Sequence, residues 1–306
     1  MSLLKYWEAL GVWGTRKSRQ KDSDLELKQK KMFTPLTAKE IQNIKNLWGG
    51  IKLNYKYFEL YKTGHDEVDS RYIPDDIYYT IVDPYFNKPI DCRYIDDKNL
   101  YDLLFSDVKQ PKTVARKENG QFISASYELI TEKEVLSACV EIGKVVIKKS
   151  TNANGGESIY FWGNDNSTKS LEVLKNILKK DFDFVIQECV KQHSEMAKLH
   201  PTSINTIRIL TLNWHGEVRV LSSIIRMGAN GSNVDNGHSG GVFCGIDETG
   251  RLKNCAYNYM TGQKFENTHP TSGAVFSDSV IPNFDECKDL VCKLAPRITS
   301  FSRLTS

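Results

Sequence analysis

A chain of 306 residues, 40% hydrophobic and 26% charged, has the composition of an ordinary globular protein, and its length predicts more than one lobe. Its 41 basic and 38 acidic side chains leave a net charge of +3, which gives no ground for a nucleic-acid-binding protein with its strong basic excess. Seven scattered cysteines with no C-x-x-C pair read as reduced thiols of a cytosolic protein, no apolar run is long enough to span a bilayer, and Glu8 interrupts any signal-peptide core.

Residues 1–31 stand apart. Leu3, Leu4, Trp7 and Leu10 fall at helical spacing, and Arg16, Lys17, Arg19, Lys21, Lys28, Lys30 and Lys31 trail behind them. The preferred reading is a short helix docked on its own protein, then a solvated linker. The alternative is a peripheral contact with the anionic inner face of a membrane.

Residues 32–110 read as a helical lobe. Thr37 and Glu40 form a capping box ahead of Ile41, Ile44, Leu47 and Trp48, and Gly49-Gly50 ends that helix. An aromatic run, Tyr55–Tyr61, continues to Gly64. Pro74 suits the first position of a helix, with Asp75 and Asp76 at the positive end of its dipole, and Asp83-Pro84 is expected to break it. Asp97-Lys98 opens another helix through Leu103 and Phe105, stopped by Pro111.

Residues 111–187 alternate strands and helices: a strand at Thr113–Arg116, a turn at Glu118-Asn119-Gly120, and a second capping box at Thr131 and Glu134. Gly143 ends that helix. There follow a strand ending in Val145-Val146-Ile147-Lys148, a Gly/Asn/Ser loop (150–158), a strand at Ile159–Trp162, a helix at Ser167–Lys180 and a strand at Phe184–Gln187. This order means an α/β or α+β architecture. A lysine at a strand end before adjacent glycines can hold a triphosphate, since glycines let backbone N–H groups approach the oxygens. No G-x-x-x-x-G-K-[ST] or G-x-G-x-x-G motif is present, so a hairpin loop with an exposed lysine remains the alternative. Gln187-Glu188-Cys189-Val190 either offers main-chain groups to an adenine edge or is a core strand with a polar end.

Residues 188–306 contain the densest stretch. Ile204–Asn213 and Glu217–Met227 read as strands around a turn at Trp214-His215-Gly216, each carrying one arginine, Arg208 and Arg226, and a loop rich in Gly, Asn and Asp follows. Guanidinium groups on a stiff hairpin can clamp phosphate or carboxylate oxygens; two solvated surface arginines are the alternative. A last helix is expected over Asn283–Leu294, capped by Asn283 with Glu286 three residues on.

Taken together, the strand ending in Lys148, the Gly-rich loop, the strand ending at Gln187–Val190, Asp97-Lys98, and the strands N-T-I-R (205–208) and S-I-I-R (223–226) followed by V-D-N-G-H-S-G-G (234–241) resemble the ATP-grasp superfamily. The closest wording is that of the sugar-transfer-associated ATP-grasp family, seen also in Tyr72-Ile73-Pro74-Asp75-Asp76, His200-Pro201 and Ile281-Pro282, and the resemblance covers roughly residues 70–295. It implies an ATP-grasp fold of α/β (α+β) class, with 111–187 as the lid subdomain and 188–306 as the large subdomain.

The resemblance also implies roles. Lys98 and Lys148 would touch ATP phosphates; Gly155, Gly156 and Ser158 would form the loop over them. Glu188 and Val190 would meet adenine, with Gln187 near its amine, and Glu195 would meet ribose. Arg208 and Arg226 would steady a phosphoryl group or an acceptor carboxylate, with Asn236 and His238 on the acceptor side. The implied activity is ATP-dependent ligation of a carboxylate to an amine or other nucleophile through an acyl phosphate, in bacterial cell-surface polysaccharide synthesis, with ATP and Mg²⁺ as cofactors and an unidentified acceptor. One departure bears on this. The family's magnesium acids follow a helix of the large subdomain, yet the twelve residues after Leu294 contain no acid; Asp235 and Asp247 are the candidates for substitution, without a spacing argument. The metal ligands are therefore unassigned. A nucleotide-binding or scaffold protein without turnover, and a kinase of a sugar hydroxyl, stand as alternatives.

Overall fold

The computed structural model describes residues 3–30, 32–87, 95–151, 158–165, 167–232, 234–237, 240–258 and 260–299. Gly155, Gly156 and His238 lie outside the described residues. The chain forms two compact units, one made of Met1–Asp91 with Ser194–Ser306 and the other of Cys92–His193.

The first unit opens with α1 (Leu3–Gln29), a single helix of 27 residues. The expected short helix and solvated linker are thus corrected: the basic run stays helical as far as Lys28. Arg19, Ser23 and Leu27, spaced four apart, share one face. Along it the Arg19 guanidinium donates to Tyr79 O and the Asp83 carboxylate, both at 2.9 Å, and Ser23 and Leu27 are buried. Lysines and arginines on the other faces cost a helix nothing. Among the described residues, no helix is long and apolar enough to cross a membrane.

Next comes α2 (Ala38–Trp48), whose Thr37–Glu40 capping box forms as expected. The Glu40 carboxylate also accepts from Lys62 Nζ at 2.7 Å and Val68 N at 3.0 Å, and this set of donors holds its pKa down at about 2 despite the opposing effect of burial. Then α3 (Lys56–Tyr61) packs Phe58 with Ile44 and Val68 in a small core. After Pro74, α4 (Asp75–Ile77) begins where expected, but the chain does not break at Asp83-Pro84. A π-helical turn, Tyr78–Val82, leads directly into α5 (Asp83–Phe86). The wider turn brings Asp83 N–H to Tyr78 O, and Pro84, which has no N–H to give, follows at once in the first turn of α5.

The second unit begins with a 3₁₀ turn, Lys98–Leu100, capped by the Asp97 side chain, and α6 (Tyr101–Leu104). There follow β1 (Thr113–Glu118), β2 (Gln121–Ser124), β3 (Leu129–Ile130), α7 (Glu132–Ile142), β4 (Lys144–Lys149), β5 (Ile159–Gly163), α8 (Thr168–Leu178) and β6 (Phe184–Glu188). The strands form one antiparallel sheet in the order β3-β2-β1-β6-β4-β5. The second capping box, Thr131 with Glu134, forms, and Gly143 at φ 84 ends α7. Strand alternation then sorts the side chains. Val145 and Ile147 of β4, with Phe184 and Ile186 of β6, join Val135 and Cys139 of α7 and Leu174 and Leu178 of α8 in the core. Lys148, Gln187 and Arg116 fall on the opposite face: Val146 pairs with Gln187, Lys148 with Val185, and Val185 with Arg116.

The first unit resumes with α9 (Ser194–Leu199), β7 (Thr206–Trp214), β8 (Glu217–Met227), β9 (Val242–Ile246), β10 (Leu252–Asn258), β11 (Lys264–Glu266) and α10 (Phe284–Thr299). Its sheet is also antiparallel, in the order β11-β10-β9-β8-β7, so the chain is α+β. The β7–β8 hairpin closes through His215 (φ 49) and Gly216 (φ 83), two left-handed residues that match the twist of a two-residue turn. Ile225, Met227, Cys244, Ile246 and Ala256 fill the core with Phe276, Phe284 and, from α9, Met196 and Leu199. The last helix runs past the expected Leu294 to Thr299 and takes Pro296 inside it, giving up one N–H bond.

Candidate functional sites

In the Cys92–His193 unit, three expected residues come together on the sheet face away from α7 and α8. Lys148 extends from β4 and donates through Nζ to Gln187 Oε1 of β6 at 3.2 Å. Lys98 lies in the 3₁₀ turn; its backbone N donates to Ser150 O at 3.0 Å and its Nζ reaches the same oxygen at 3.2 Å. Burial lowers the Lys148 pKa below 10.5, and the positive charge of Lys98 lowers it further. Two ammonium groups are therefore held close enough to repel, and among the described residues neither forms an ion pair with a carboxylate. Lys149, one residue on, alternates to the other face of the sheet.

Around this pair, Glu188 is stitched to the chain ahead of β1: its N donates to Lys112 O at 2.9 Å and its carboxylate accepts from Lys112 N at 3.1 Å. Val190 is half exposed. Ser158 sits at φ 61, and its carbonyl accepts from Lys149 N at 3.3 Å at the start of β5.

The turn carrying Lys98 is clamped by residues that the sequence did not single out. Arg116, 1% exposed, donates through Nε to Asn99 O at 3.1 Å, through Nη1 to Ser124 O at 2.7 Å and through Nη2 to the Asp102 carboxylate. The Tyr127 ring lies 4.0 Å from the guanidinium, and its hydroxyl donates to Asn99 O at 3.0 Å and to Asp102. Asp102 and Arg116 are fourteen residues apart on different elements, so no periodicity in the sequence announces them.

In the other unit, the register of β7 and β8 places Thr206 opposite Arg226 and Arg208 opposite Ile224, so both arginines share the face away from the core. They are not equivalent. Arg226 Nη2 pairs with the Asp235 carboxylate at 3.0 Å, its Nε donates to Thr206 Oγ1 at 3.2 Å, and the Thr206 hydroxyl donates to Asp235. Arg208 makes no ion pair among the described residues; desolvation and then the charge of Arg226 lower its pKa from the ordinary arginine value, against opposing contributions from Asp235 and Tyr79. Asn236 follows Asp235 in a tight loop, where its carbonyl accepts from Gly241 N at 3.0 Å. A Cβ at Gly241 would lie 2.7 Å from Asp235 O and 2.8 Å from Asn236 O, so the loop needs glycine there. Glu195, on α9, pairs with Lys198 at 2.6 Å and belongs to this unit.

The described residues contain no group of three His, Cys, Asp or Glu able to hold a metal ion. Asp235 is engaged by Arg226 and Thr206, and Asp247 accepts from Thr249 N, Thr249 Oγ1 and Arg251 N in a turn. Neither fits the expected magnesium role.

A family model described as sugar-transfer associated ATP-grasp matches residues 81–305. No curated protein matches the chain.

Proposed function

The chain belongs to the sugar-transfer-associated ATP-grasp family, and we propose that it binds ATP through Lys98 and Lys148 and uses the γ-phosphate to activate a carboxylate for ligation. The family match supports an ATP-grasp, ligase-like function. The observation that carries the finer reading is the pair of mutually repelling lysines on one sheet face, without a carboxylate partner among the described residues. A polyphosphate bound between them would relieve that repulsion, and Lys148, already desolvated, would gain more from it than a surface lysine.

In this reading Gln187, Glu188 and Val190 meet the adenine, Glu195 the ribose, and Gly155, Gly156 and Ser158 cover the phosphates. A carboxylate oxygen of the acceptor attacks the γ-phosphorus, the bond to the β,γ-bridging oxygen breaks, and ADP leaves. An amine then attacks the acyl carbon, the carbon–oxygen bond to phosphate breaks, inorganic phosphate leaves, and the nitrogen loses a proton to give the amide. Such transfer depends on position and charge neutralisation more than on acid–base groups. Arg208 binds the anionic acceptor or the moving phosphoryl group, Arg226 holds the adjoining loop through Asp235, and Asn236 and His238 lie toward the acceptor. That the acceptor belongs to bacterial surface-polysaccharide assembly is proposed from the family's association with sugar transfer alone, and a peripheral membrane contact is proposed only for the apolar first turns of α1.

Calorimetry with ATP tests this reading: binding is expected to weaken strongly in Lys148→Ala and little in Lys149→Ala, and equal effects would sink it. A second reading, nucleotide binding without turnover, is favoured by the engagement of Asp235 and Asp247. Phosphate release from Mg-ATP in the presence of small carboxylates separates the two.

A further inference from the structure

We infer that Arg116, with Tyr127, is a positioning residue that holds Lys98 against its repulsion by Lys148, so that the triphosphate site is preformed. This rests on the assignment of Lys98 and Lys148 to ATP. Lys98 is on a short 3₁₀ turn, and apart from its own bonds to Ser150 O nothing intrinsic to three residues would keep its ammonium beside another positive charge. A further restraint comes from the next residues. Asn99 O accepts from both Arg116 Nε and Tyr127 OH, and Asp102, one turn later, accepts from both side chains again. Asp97 caps the turn from the other end by accepting Asn99 N at 3.0 Å. Lys98 is thus bracketed, with its own N–H fixed to Ser150 O at the end of the strand that bears Lys148.

Arg116 stands on the same sheet face as Lys148 and Gln187 but is itself buried, and all of its described hydrogen bonds are to protein oxygens. It is therefore not a phosphate ligand. A guanidinium suits this work because its planar fork addresses Asn99, Asp102 and the Ser124–Ala125 turn at once, which a lysine cannot do. Preforming the pair matters to affinity, because the cost of bringing two like charges together is then met on folding rather than on each binding event.

The test is a thermodynamic cycle on the full chain, with ATP and adenosine affinities measured for wild type, Lys98→Met, Arg116→Lys, Tyr127→Phe and the two double variants with Lys98→Met. Arg116→Lys is expected to weaken ATP about tenfold and leave adenosine unchanged, and to add nothing once Lys98 is methionine. Tyr127→Phe removes the one hydroxyl that Asn99 O and Asp102 share and leaves the guanidinium in place, so it is expected to show a smaller loss of the same pattern. It carries the test should Arg116→Lys fail to fold. Equal losses of ATP and adenosine, losses that multiply with Lys98→Met, or no loss from either variant would overturn the inference. Failure of wild type to bind ATP would instead remove the nucleotide assignment and the inference with it.

Discussion

Arg226 and Asp235 are joined at 3.0 Å, and this pairing divides the labour between the two arginines of the β7–β8 hairpin. Arg226 is committed to the protein, whereas Arg208 makes no ion pair among the described residues. Substitution is expected to separate them. Asp235→Asn should cost about 2 kcal/mol, as loss of a charge-assisted contact in a partly buried pair does. Arg208→Met should change stability by no more than about 0.5 kcal/mol while abolishing turnover. Urea unfolding and phosphate release measure the two effects.

The lysine pair has a pH signature. The Lys148 pKa lies below 10.5 because of burial and then Lys98, and ATP favours the charged form. ATP affinity should therefore fall as pH rises through the lowered Lys148 pKa, before ordinary lysines lose their protons. In Lys98→Met one source of the depression is gone, and the fall should move to higher pH. Calorimetry across an alkaline series reads both curves; coincident curves would mean that the two charges do not interact.

His269 is buried, with Nδ1 accepting from Thr271 N and Ser272 N at 3.3 and 3.2 Å and Nε2 facing Gly228 O at 3.0 Å. The two N–H donors assign the proton to Nε2, which donates to Gly228 O. Burial is the main cause that pushes its pKa down to about 4, and burial lowers that of neighbouring His200 as well. The unfolded chain, with an ordinary histidine near 6.5, takes up this proton first as pH falls. Stability is thus full above about 6.5 and declines toward 4, by about 3 kcal/mol from His269 alone. Urea midpoints at pH 7.5 and 4.5 should differ accordingly, and His269→Gln should flatten the difference.

Gly228 lies where β8 ends against these histidines. A Cβ there would come within 2.6 Å of Ser203 Oγ and 2.8 Å of His200 Cε1, and the Ser203 hydroxyl already accepts from Gly228 N at 3.1 Å. Gly228→Ala is expected to cost about 2 kcal/mol through this crowding. A melting temperature equal to that of wild type would show that the loop yields freely.

The parts of the molecule that were legible in the sequence are those whose partners lie a few residues away. Thr37 and Glu40, Thr131 and Glu134, and the His215-Gly216 turn are local devices, and each formed where expected. Lys148 and Gln187 could be placed because strand alternation is itself local. The clamp on Lys98 could not, since Arg116 reads as one more polar residue in a strand until Asp102 and Tyr127 are folded onto it. Nor could the commitment of Arg226 be read, because Asp235 lies beyond the end of its strand. The basic run after Gly14 misled for a related reason: lysines and arginines are as compatible with a helix as with a solvated linker, and the contacts that decide between them, among them Tyr79 and Asp83 against Arg19, lie about sixty residues away.

The two units draw on the chain differently. Cys92–His193 is one uninterrupted stretch containing all six strands of its sheet, whereas the other unit is assembled from both ends of the sequence. During synthesis the inserted stretch has everything it needs soon after residue 193 emerges, while the first 91 residues must wait for a sheet and two helices that come last. A fragment spanning 92–193 should accordingly unfold cooperatively when expressed alone, and one spanning 1–91 should not. Circular dichroism melts of the two fragments would show whether the protein is built from its middle outward.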